Sequence, residues 1–477
     1  MSAQHPSDAV ARQLRALCWA VLVASLPVVL YFTTLGTWRL THQRIDGGWT
    51  AAFFWQQAES MLVHARLDVD PAAFGIECFM RDERCYGYFG VTPSLVRIPF
   101  LGISRFFHSA LTPVFLAAAI LVAWWAAFQM LQRSLRTGEV LAPSRALVLG
   151  YGLLGALALG PGSTLLFLAR PAVYEEAIAW GVAFFLLAMN HVWAWYAREA
   201  RSLVPAVVFG ILAANARPTA ATACGVLGLL AMWWCRQDRF TGRPFRAALG
   251  LSLLPGLTAA AVFWLKLGTP VPSVLMNRHV QEAPHWKAIL EQNGRRTGGA
   301  MFAPTALALY FRPDTVVSRS AWPIADFRFP HEPILWIPPL PVGGAYVERT
   351  ASVTATMPLP WLLTVVMAIG AGTSWARERR SPHPSPERRE EWTVAAGLFA
   401  SALAMTALTV TTVGMTNRYL PDFYAISAVG VVFAHRRLLP WLHRHRALGA
   451  LAGLVALALV VWSIVVNVSL TTQVTFY

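Results

Sequence analysis

Long apolar runs, separated by shorter polar segments, recur from one end of this chain to the other. A run of about 20 apolar residues can cross about 30 Å of hydrocarbon as a helix that rises about 1.5 Å per residue. We place spans at approximately 14–36, 111–131, 146–169, 177–197, 203–215, 218–234, 247–267, 358–376, 392–413, 421–434 and 447–470. The pattern predicts an all-α polytopic membrane protein with about eleven transmembrane helices, folded as a single membrane domain over residues 1–477.

The polar segments between the runs predict the topology. The short arginine-rich loops all fall on one side of the membrane if the N-terminus is cytoplasmic, as the positive-inside rule requires. Two long outer loops, 37–110 and 268–357, then lie outside with the C-terminus. The first run is too long for the core of a signal peptide, so we expect it to be retained as a span. The predicted location is the cell (inner) membrane.

Composition agrees with this class and limits the partners. Hydrophobic residues make up 56% of the chain and charged residues 13%, about half of the roughly 25% usual in soluble domains. The formal net charge of +15 could indicate a nucleic-acid partner, but the basic residues lie in short clusters between apolar runs. We therefore expect membrane lipids as partners and no nucleic acid.

Two places break the regular pattern of spans. The runs 203–215 and 218–234 are short and meet at Asn215, Arg217 and Pro218 without a polar loop between them. They predict a helix pair that turns near the outer face. Gly160, Pro161 and Gly162 interrupt the third span in a similar way. Broken helices are tolerated in membranes where the backbone lines a polar cavity rather than lipid.

The first outer loop carries several local signals. Apolar residues at helical spacing over Trp49–Leu67 predict an amphipathic helix lying in the membrane interface. The segment Glu77–Phe89 contains Arg81-Asp82-Glu83, which indicates a hairpin turn. Cys78 and Cys85 flank that turn and are either a disulfide or two unpaired thiols.

Charged residues at the ends of spans are the first candidates for function, because such charges are costly unless a partner compensates them. They are Asp46, after the first span; Glu175 and Glu176, before the fourth span and close to Arg170; Arg217; and Arg418 and Asp422. If they converge, they form a polar site that opens outward. Arginine suits phosphate binding, and a carboxylate suits removal of a proton from a hydroxyl.

Structural roles for the same residues stay open. Glu175 and Glu176 could simply pair with Arg170, and Arg418 could pair with Asp422 or extend to the interface. Asp46 could be only an N-terminal cap of the interfacial helix. His64, Asp68 and Asp70 could bind a metal, although an Asp before a proline is more typical of a turn.

Taken together, these features resemble the GT-C superfamily of glycosyltransferases that use polyprenyl-phosphate sugars, such as protein O-mannosyltransferases and aminoarabinose transferases. An acid after the first span, followed by an interfacial helix, is similar to Asp46 with Trp49–Leu67. A second acid at the start of the fourth span is similar to Glu175 or Glu176.

Three shorter segments carry the same resemblance. Ala216-Arg217-Pro218 is similar to a basic residue beside a proline in a helix in the middle of the chain. Arg418-Tyr419-Leu420-Pro421-Asp422 is similar to a late Arg-Tyr-x-x-Pro segment. Tyr86-Gly87-Tyr88-Phe89 with Pro93 is similar to the aromatic segment that leads into the second span.

The resemblance implies a GT-C-like fold and transfer of a sugar from a polyprenyl-phosphate donor to an acceptor glycan, lipid or protein outside the membrane. Asp46, Glu175 and Glu176 are the implied catalytic acids. The expected substrate-binding residues are Arg170, Arg217, Arg418, Tyr419, Asp68 and Asp70. A single displacement would invert the anomeric carbon. We expect no metal ligands and no required cofactor, with a divalent cation left open.

Two other functions fit the same composition. In a transporter or flippase of lipid-linked glycan, charges would be spread through the membrane and on both of its sides. A catalytically silent scaffold would leave the polar residues without a chemical role. The second outer loop, with one predicted helix near Pro284–Gln292 and many prolines, is expected to fold over the site as a lid.

Overall fold

The computed structural model describes residues 6–42, 52–74, 78–103, 108–137, 144–169, 172–237, 242–270, 284–294, 296, 298–328, 346–347, 350–380, 386–411, 414–415 and 419–476. Three candidate site residues, Asp46, Arg170 and Arg418, lie outside these ranges. Their predicted roles therefore stay predictions.

Helices make up most of the described chain. They are α1 (Pro6–His42), α2 (Phe53–His64), α3 (Pro71–Phe74), α4 (Thr92–Arg97), α5 (Thr112–Thr137), α6 (Arg145–Leu159), α7 (Pro161–Thr164), α8 (Val173–Tyr196), α9 (Val204–Ala214), α10 (Thr219–Gln237), α11 (Arg243–Leu267), α12 (Pro284–Gln292), α13 (Ala303–Phe311), α14 (Val353–Thr356), α15 (Pro358–Arg380), α16 (Pro386–Val410), α17 (Leu420–Arg444) and α18 (Arg446–Phe476). Short 3₁₀ turns cover Ile98–Phe100, His108–Leu111, Leu165–Ala169 and Ala300–Phe302.

A helix occurs at each of the eleven predicted spans. Within the described residues, eight helical segments are long and apolar enough to cross a membrane. Of the other three, α9 is too short, and α10 and α17 are less apolar because they carry more polar side chains. The chain is thus an all-α polytopic membrane protein, and eight of the eleven predicted spans meet the requirement of length and composition.

The third span is interrupted where the sequence predicts. α6 ends at Leu159, and the chain continues through α7 into the 3₁₀ turn Leu165–Ala169. Neighbouring helices satisfy carbonyls freed by this break: the Tyr424 hydroxyl donates to the Leu159 carbonyl at 2.7 Å, and Thr471 donates to the Leu165 carbonyl at 3.1 Å. Such side-chain partners are what allow an irregular backbone inside a membrane domain.

The predicted helix pair is also present. α9 ends at Ala214 and α10 begins at Thr219, so residues 215–218 form the turn between them. Asn215 stabilises the turn by donating from Nδ2 to the Ile211 carbonyl at 3.0 Å and to Thr258 Oγ1 at 2.9 Å. The turn is therefore fixed to α11, the helix that carries Thr258.

Glycines allow helices to approach this pair closely. A Cβ added at Gly181 of α8 would lie 2.7 Å from the Arg217 Cβ, and one at Gly228 of α10 would lie 2.4 Å from the Ser252 nitrogen. No larger residue fits at these contacts without a shift of backbone. Small residues at helix contacts are typical of membrane proteins, where close packing takes the place of the hydrophobic effect.

The described part of the first outer loop contains α2 and a hairpin of β1 (Phe79–Arg81) and β2 (Arg84–Tyr86). Both were predicted, although α2 begins at Phe53 rather than near Trp49. Cys78 and Cys85 form a disulfide across the hairpin, with their Cα atoms 5.4 Å apart. The aromatic rings of Phe53, Phe54 and other residues pack into a small core beneath it.

The second outer loop contains α12, which confirms the helix predicted at Pro284–Gln292. It also contains α13 and a hairpin of β3 (Val316–Ser318) and β4 (Ala325–Phe327), which the sequence analysis did not predict. A short parallel pair joins β5 (Tyr346–Val347) to β6 (Gly414–Met415). This pair links the loop to the segment between α16 and α17. Its function as a lid stays a prediction.

Candidate functional site

Both outer loops meet one end of the helix bundle, which we call the loop end. The Thr92 amide donates to the Asn215 carbonyl at 3.0 Å, so the first loop rests on the turn between α9 and α10. The Gly299 amide donates to the Thr411 carbonyl at 2.8 Å, which joins the second loop to the end of α16. Polar side chains that the sequence separates widely are brought together at this end.

Arg217 and Asp422 form an ion pair at the loop end. Arg217 Nη2 donates to Asp422 Oδ2, although the two residues are 205 positions apart. The Asp422 side chain is fully buried and that of Arg217 is 12% exposed. Both residues were selected from the sequence, with Arg418 as a possible partner of Asp422. Within the described residues the basic partner of Asp422 is Arg217, and Arg418 lies outside those residues.

The neighbours of this pair orient it. Thr409 of α16 donates its hydroxyl to Asp422 Oδ2, and Thr406 donates to the Asp422 carbonyl at 2.9 Å. The Arg217 guanidinium lies over the Tyr419 ring, 5.2 Å from its centroid. The start of α17 and the end of α16 therefore position the guanidinium that the turn between α9 and α10 presents. Arg418 precedes Tyr419 directly in the sequence.

Arg217 keeps hydrogen-bonding capacity that these contacts do not use. Its Nε is buried and has no hydrogen-bond partner among the described residues. A buried donor without a partner costs about 1–3 kcal/mol, so native proteins rarely keep one without a reason. A guanidinium held by a carboxylate on one side and by a ring on its face, with 12% of its side chain still exposed, is suited to bind a phosphate oxygen.

A second ion pair lies at the same end. Arg97 Nη2 and Glu176 Oε2 are 2.6 Å apart, and both side chains are fully buried. Arg97 also donates to Thr112 Oγ1 at 3.1 Å. Its guanidinium lies over the rings of Phe54, Trp55 and Phe115, at 5.3, 5.0 and 4.9 Å from their centroids. Burial lowers the pKa of Arg97, and the Glu176 carboxylate acts against that shift.

This pair changes the interpretation of Glu176. Glu175 and Glu176 were predicted to be catalytic acids or partners of Arg170. Among the described residues, Glu176 forms its ion pair with Arg97 of the first outer loop. Glu175 is partly exposed at the start of α8. Glu176 therefore has a clear structural part, which is to join α8 to the first loop.

Lys266 is a further buried cation at the loop end. It lies at the last turn of α11, is fully buried and donates from Nζ to the Phe89 carbonyl at 2.6 Å. The Nζ is 5.8 Å from the centroid of the Phe53 ring. Lys266 thus attaches the aromatic segment that follows the hairpin to α11. The Arg81 side chain makes longer contacts of 3.4 Å with the carbonyls of Trp264 and Leu265.

Asp68 and Asp70 make local contacts in the first loop. Asp68 Oδ1 is 3.2 Å from Arg66 Nε, and Asp70 Oδ1 accepts the Ala72 amide at 2.8 Å at the start of α3. The second contact is the turn chemistry that the sequence also allowed for an Asp before a proline. Across the described ranges, no three His, Cys, Asp or Glu side chains group as metal ligands.

Sequence reasoning missed Arg97 and Lys266. Arg97 ends the short helix α4 of the first loop, where nothing in the sequence indicates burial. Lys266 carried a weak signal, since it is one of only two lysines in the chain and ends a predicted span. Arg217, Asp422 and Tyr419 were selected from the sequence and do lie together.

No protein-family model and no curated protein sequence matches this chain. Three solved structures are similar to it, all of the oligosaccharyltransferase of Archaeoglobus fulgidus. They are the apo form, a form tethered to an acceptor peptide that contains the NVT sequon, and a complex with an inhibitory peptide and a dolichol-phosphate.

The similarity to these structures is broad and low. Sequence identity is 15%, 15% and 14%, and the TM-scores are 0.49, 0.49 and 0.48. The matches cover 96% of this chain and 56%, 55% and 56% of the others, so this chain spans about half their length. Archaeal oligosaccharyltransferase is a GT-C fold glycosyltransferase and not one of the two subtypes named above. At this level the similarity alone assigns no function.

Proposed function

We propose that the protein is a membrane glycosyltransferase that takes a sugar from a polyprenyl phosphate and transfers it to an acceptor at the loop end. The observation that carries the proposal is the state of Arg217. It is a guanidinium at the loop end, held by Asp422 and Tyr419, with 12% of its side chain exposed. An arginine that is oriented in this way and still exposed is suited to bind phosphate.

The distribution of buried charge favours an enzyme over a transporter. Among the described residues, the buried side chains of Asp, Glu, Lys and Arg are Arg97, Glu176, Lys266, Arg312, Asp326 and Asp422. The first three and Asp422 are at the loop end, and Arg312 and Asp326 belong to the second outer loop. A permeation path for a charged glycan would need such groups deeper in the membrane.

The proposed chemistry is a single displacement at the anomeric carbon. Asp46 removes the proton from an acceptor hydroxyl, and the hydroxyl oxygen forms a bond to the anomeric carbon. The bond from that carbon to the phosphate oxygen breaks, and its electron pair leaves with the polyprenyl phosphate. Arg217 and Arg418, with Arg170, bind the phosphate and stabilise its developing charge.

Charge balance supports this division of roles. A site with acids alone would repel a phosphate donor, and arginines alone would leave no base for the acceptor. Asp422 is already committed to Arg217 and Thr409, and Glu176 to Arg97. Asp46 is therefore the better candidate for the base, and Tyr419 is a positioning residue beneath Arg217.

The role of Arg217 can be separated from its structural contribution by a pair of variants. In R217Q alone, Asp422 is left buried without its counter-charge, which typically costs about 3–5 kcal/mol. In R217Q/D422N both charges are gone, so folding should recover. Transfer of label from a radiolabelled polyprenyl-phosphate sugar should still be about 10²-fold lower or worse, as for the loss of one transition-state donor.

The two variants are measured for thermal unfolding and for label transfer in the same detergent preparation. Stable R217Q/D422N protein with poor transfer supports the phosphate role. If this double variant regains full transfer, Arg217 serves only to neutralise Asp422, and the proposal loses its central observation.

A further inference from the structure

A polar groove lies at the opposite end of the bundle from the loop end, between α1 and α5. Its volume is about 350 Å³. Arg15 and Trp19 of α1 line it, with Trp125, Arg133 and Arg136 of α5. Nothing in the proposed glycosyl transfer uses this groove, because the outer loops and the Arg217 pair lie at the other end.

The spacing of these residues makes the groove cationic near the helix ends and aromatic deeper in the span. Arg15, Trp19 and Leu22 share one face of α1, since they are four and then three residues apart. On α5, Arg136 and Trp125 are eleven residues apart, which corresponds to about 16 Å along the helix axis. The arginines therefore lie towards the helix ends, and the tryptophans lie deeper in the span.

The charge of the groove is positive after its internal pairs are counted. Glu199 also lines it, but its carboxylate accepts from Arg133 Nε at 2.8 Å. Arg133 is further held by the Asn190 carbonyl at 3.1 Å and lies over the Trp193 ring at 5.6 Å. Arg15 and Arg136 are exposed, and no acidic side chain among the described residues forms an ion pair with either.

Both tryptophans are exposed: Trp19 is 52% exposed and Trp125 is 40% exposed. Trp19, one turn from Arg15, suits the boundary between headgroups and hydrocarbon, whereas Trp125 lies near the middle of α5 at the depth of acyl chains. Cationic groups at the membrane surface, with exposed aromatic rings below them, match a molecule that has an anionic head and an apolar tail.

We infer that this groove binds an anionic phospholipid of the surrounding bilayer. The phosphate of the headgroup lies between Arg15 and Arg136, and an acyl chain follows Trp19 and Trp125 towards the centre of the membrane. Basic pockets between transmembrane helices are known sites for anionic headgroups. The lipid would bridge α1 and α5 at the end of the bundle where both helices line the groove.

The test uses native mass spectrometry of the full-length protein in detergent, titrated with phosphatidylglycerol or phosphatidylcholine. The variant R15Q/R136Q removes both unpaired charges of the groove. The control R243Q/R246Q removes two exposed arginines from the start of α11, which are at the same end of the bundle but outside the groove. All four positions are exposed, so we expect both proteins to fold.

Phosphatidylglycerol should bind the wild-type protein in preference to phosphatidylcholine, and its affinity should fall by about tenfold or more in R15Q/R136Q but not in the control. Equal losses in both variants would show general attraction of anionic lipid and overturn the site. No loss in R15Q/R136Q would overturn it too. Displacement of the lipid by millimolar inorganic phosphate would contradict the assignment of a phospholipid to the groove. Binding of polyprenyl phosphate without binding of phosphatidylglycerol would contradict it as well.

Discussion

At the scale of single residues, two buried ion pairs stabilise the loop end and have different roles. Arg97 and Glu176 have fully buried side chains, and the ring faces of Phe54, Trp55 and Phe115 surround the guanidinium. Both guanidiniums keep donors without a partner among the described residues, but only Arg217 keeps a small exposure, of 12%. The fully buried arrangement suits a structural joint, and the partly exposed one suits a group that meets a ligand.

The Arg97 pair should therefore matter for stability. In R97M, the Glu176 carboxylate would stay buried without a partner, and we expect a loss of about 3–5 kcal/mol in the free energy of unfolding. Adding E176Q should recover most of that loss. Thermal unfolding in detergent measures both effects.

The control for this prediction is D82N, which removes the carboxylate that pairs with Arg81; the Asp82 side chain is 84% exposed, so the cost should be at most about 1 kcal/mol. If R97M unfolded no more easily than D82N, the Arg97 pair would not be the joint described here.

Part of this site could be predicted from the sequence. Arg217 and Asp422 were selected because each is a charge at the end of an apolar run, which is a local property. Their pairing was not predictable, because it depends on how helices 205 residues apart are packed. The burial of Arg97 likewise depends on rings from α2 and α5, which the sequence around Arg97 does not reveal.

At the scale of elements, one attachment of the first outer loop to the bundle is a close approach of backbone at Gly90. A Cβ added at Gly90 would lie 1.7 Å from the Asn215 carbonyl oxygen, so the loop can reach the turn between α9 and α10 only with glycine there. Thr92 then donates its hydroxyl to the Leu212 carbonyl at 2.7 Å.

The variant G90A should loosen this attachment, because a methyl group cannot fit against a backbone carbonyl. We expect a destabilisation of about 1–3 kcal/mol and faster cleavage of the first outer loop by protease. G102A is the matched control, since a Cβ at Gly102 of the same loop meets nothing within 4 Å. Equal protease resistance in the two variants would contradict the described contact.

Elements with strong local patterns were predictable, and those that depend on packing were not. The break at Gly160, the hairpin between Cys78 and Cys85, and α12 were all expected from turn residues or helical spacing. The helix α13 and the hairpin of β3 and β4 were not predicted. The strands β3 and β4 are three residues long, too short to show an alternating pattern.

At the scale of the whole molecule, the arginine-rich loops predict the orientation in the membrane. We predict that the N-terminus lies in the cytoplasm and Tyr477 outside. A reporter that is active only in the cytoplasm should give no signal when fused after residue 477, and the same reporter fused before residue 1 should be active. The reverse pattern would place the loop end in the cytoplasm and exclude an acceptor outside.

The measurement that tests the central claim most directly is transfer of label by the purified protein, compared between Asp46 variants. D46N keeps the size of the side chain but removes the base. Transfer from a radiolabelled polyprenyl-phosphate sugar to acceptors in a membrane extract should therefore fall by about 10²-fold or more, while donor binding is kept. D82N, at the exposed tip of the hairpin in the same loop, should transfer like the wild type. The predicted result is transfer by the wild type and little transfer by D46N. Full transfer by D46N, or no transfer by the wild type with any polyprenyl-phosphate sugar tried, would contradict the proposed function.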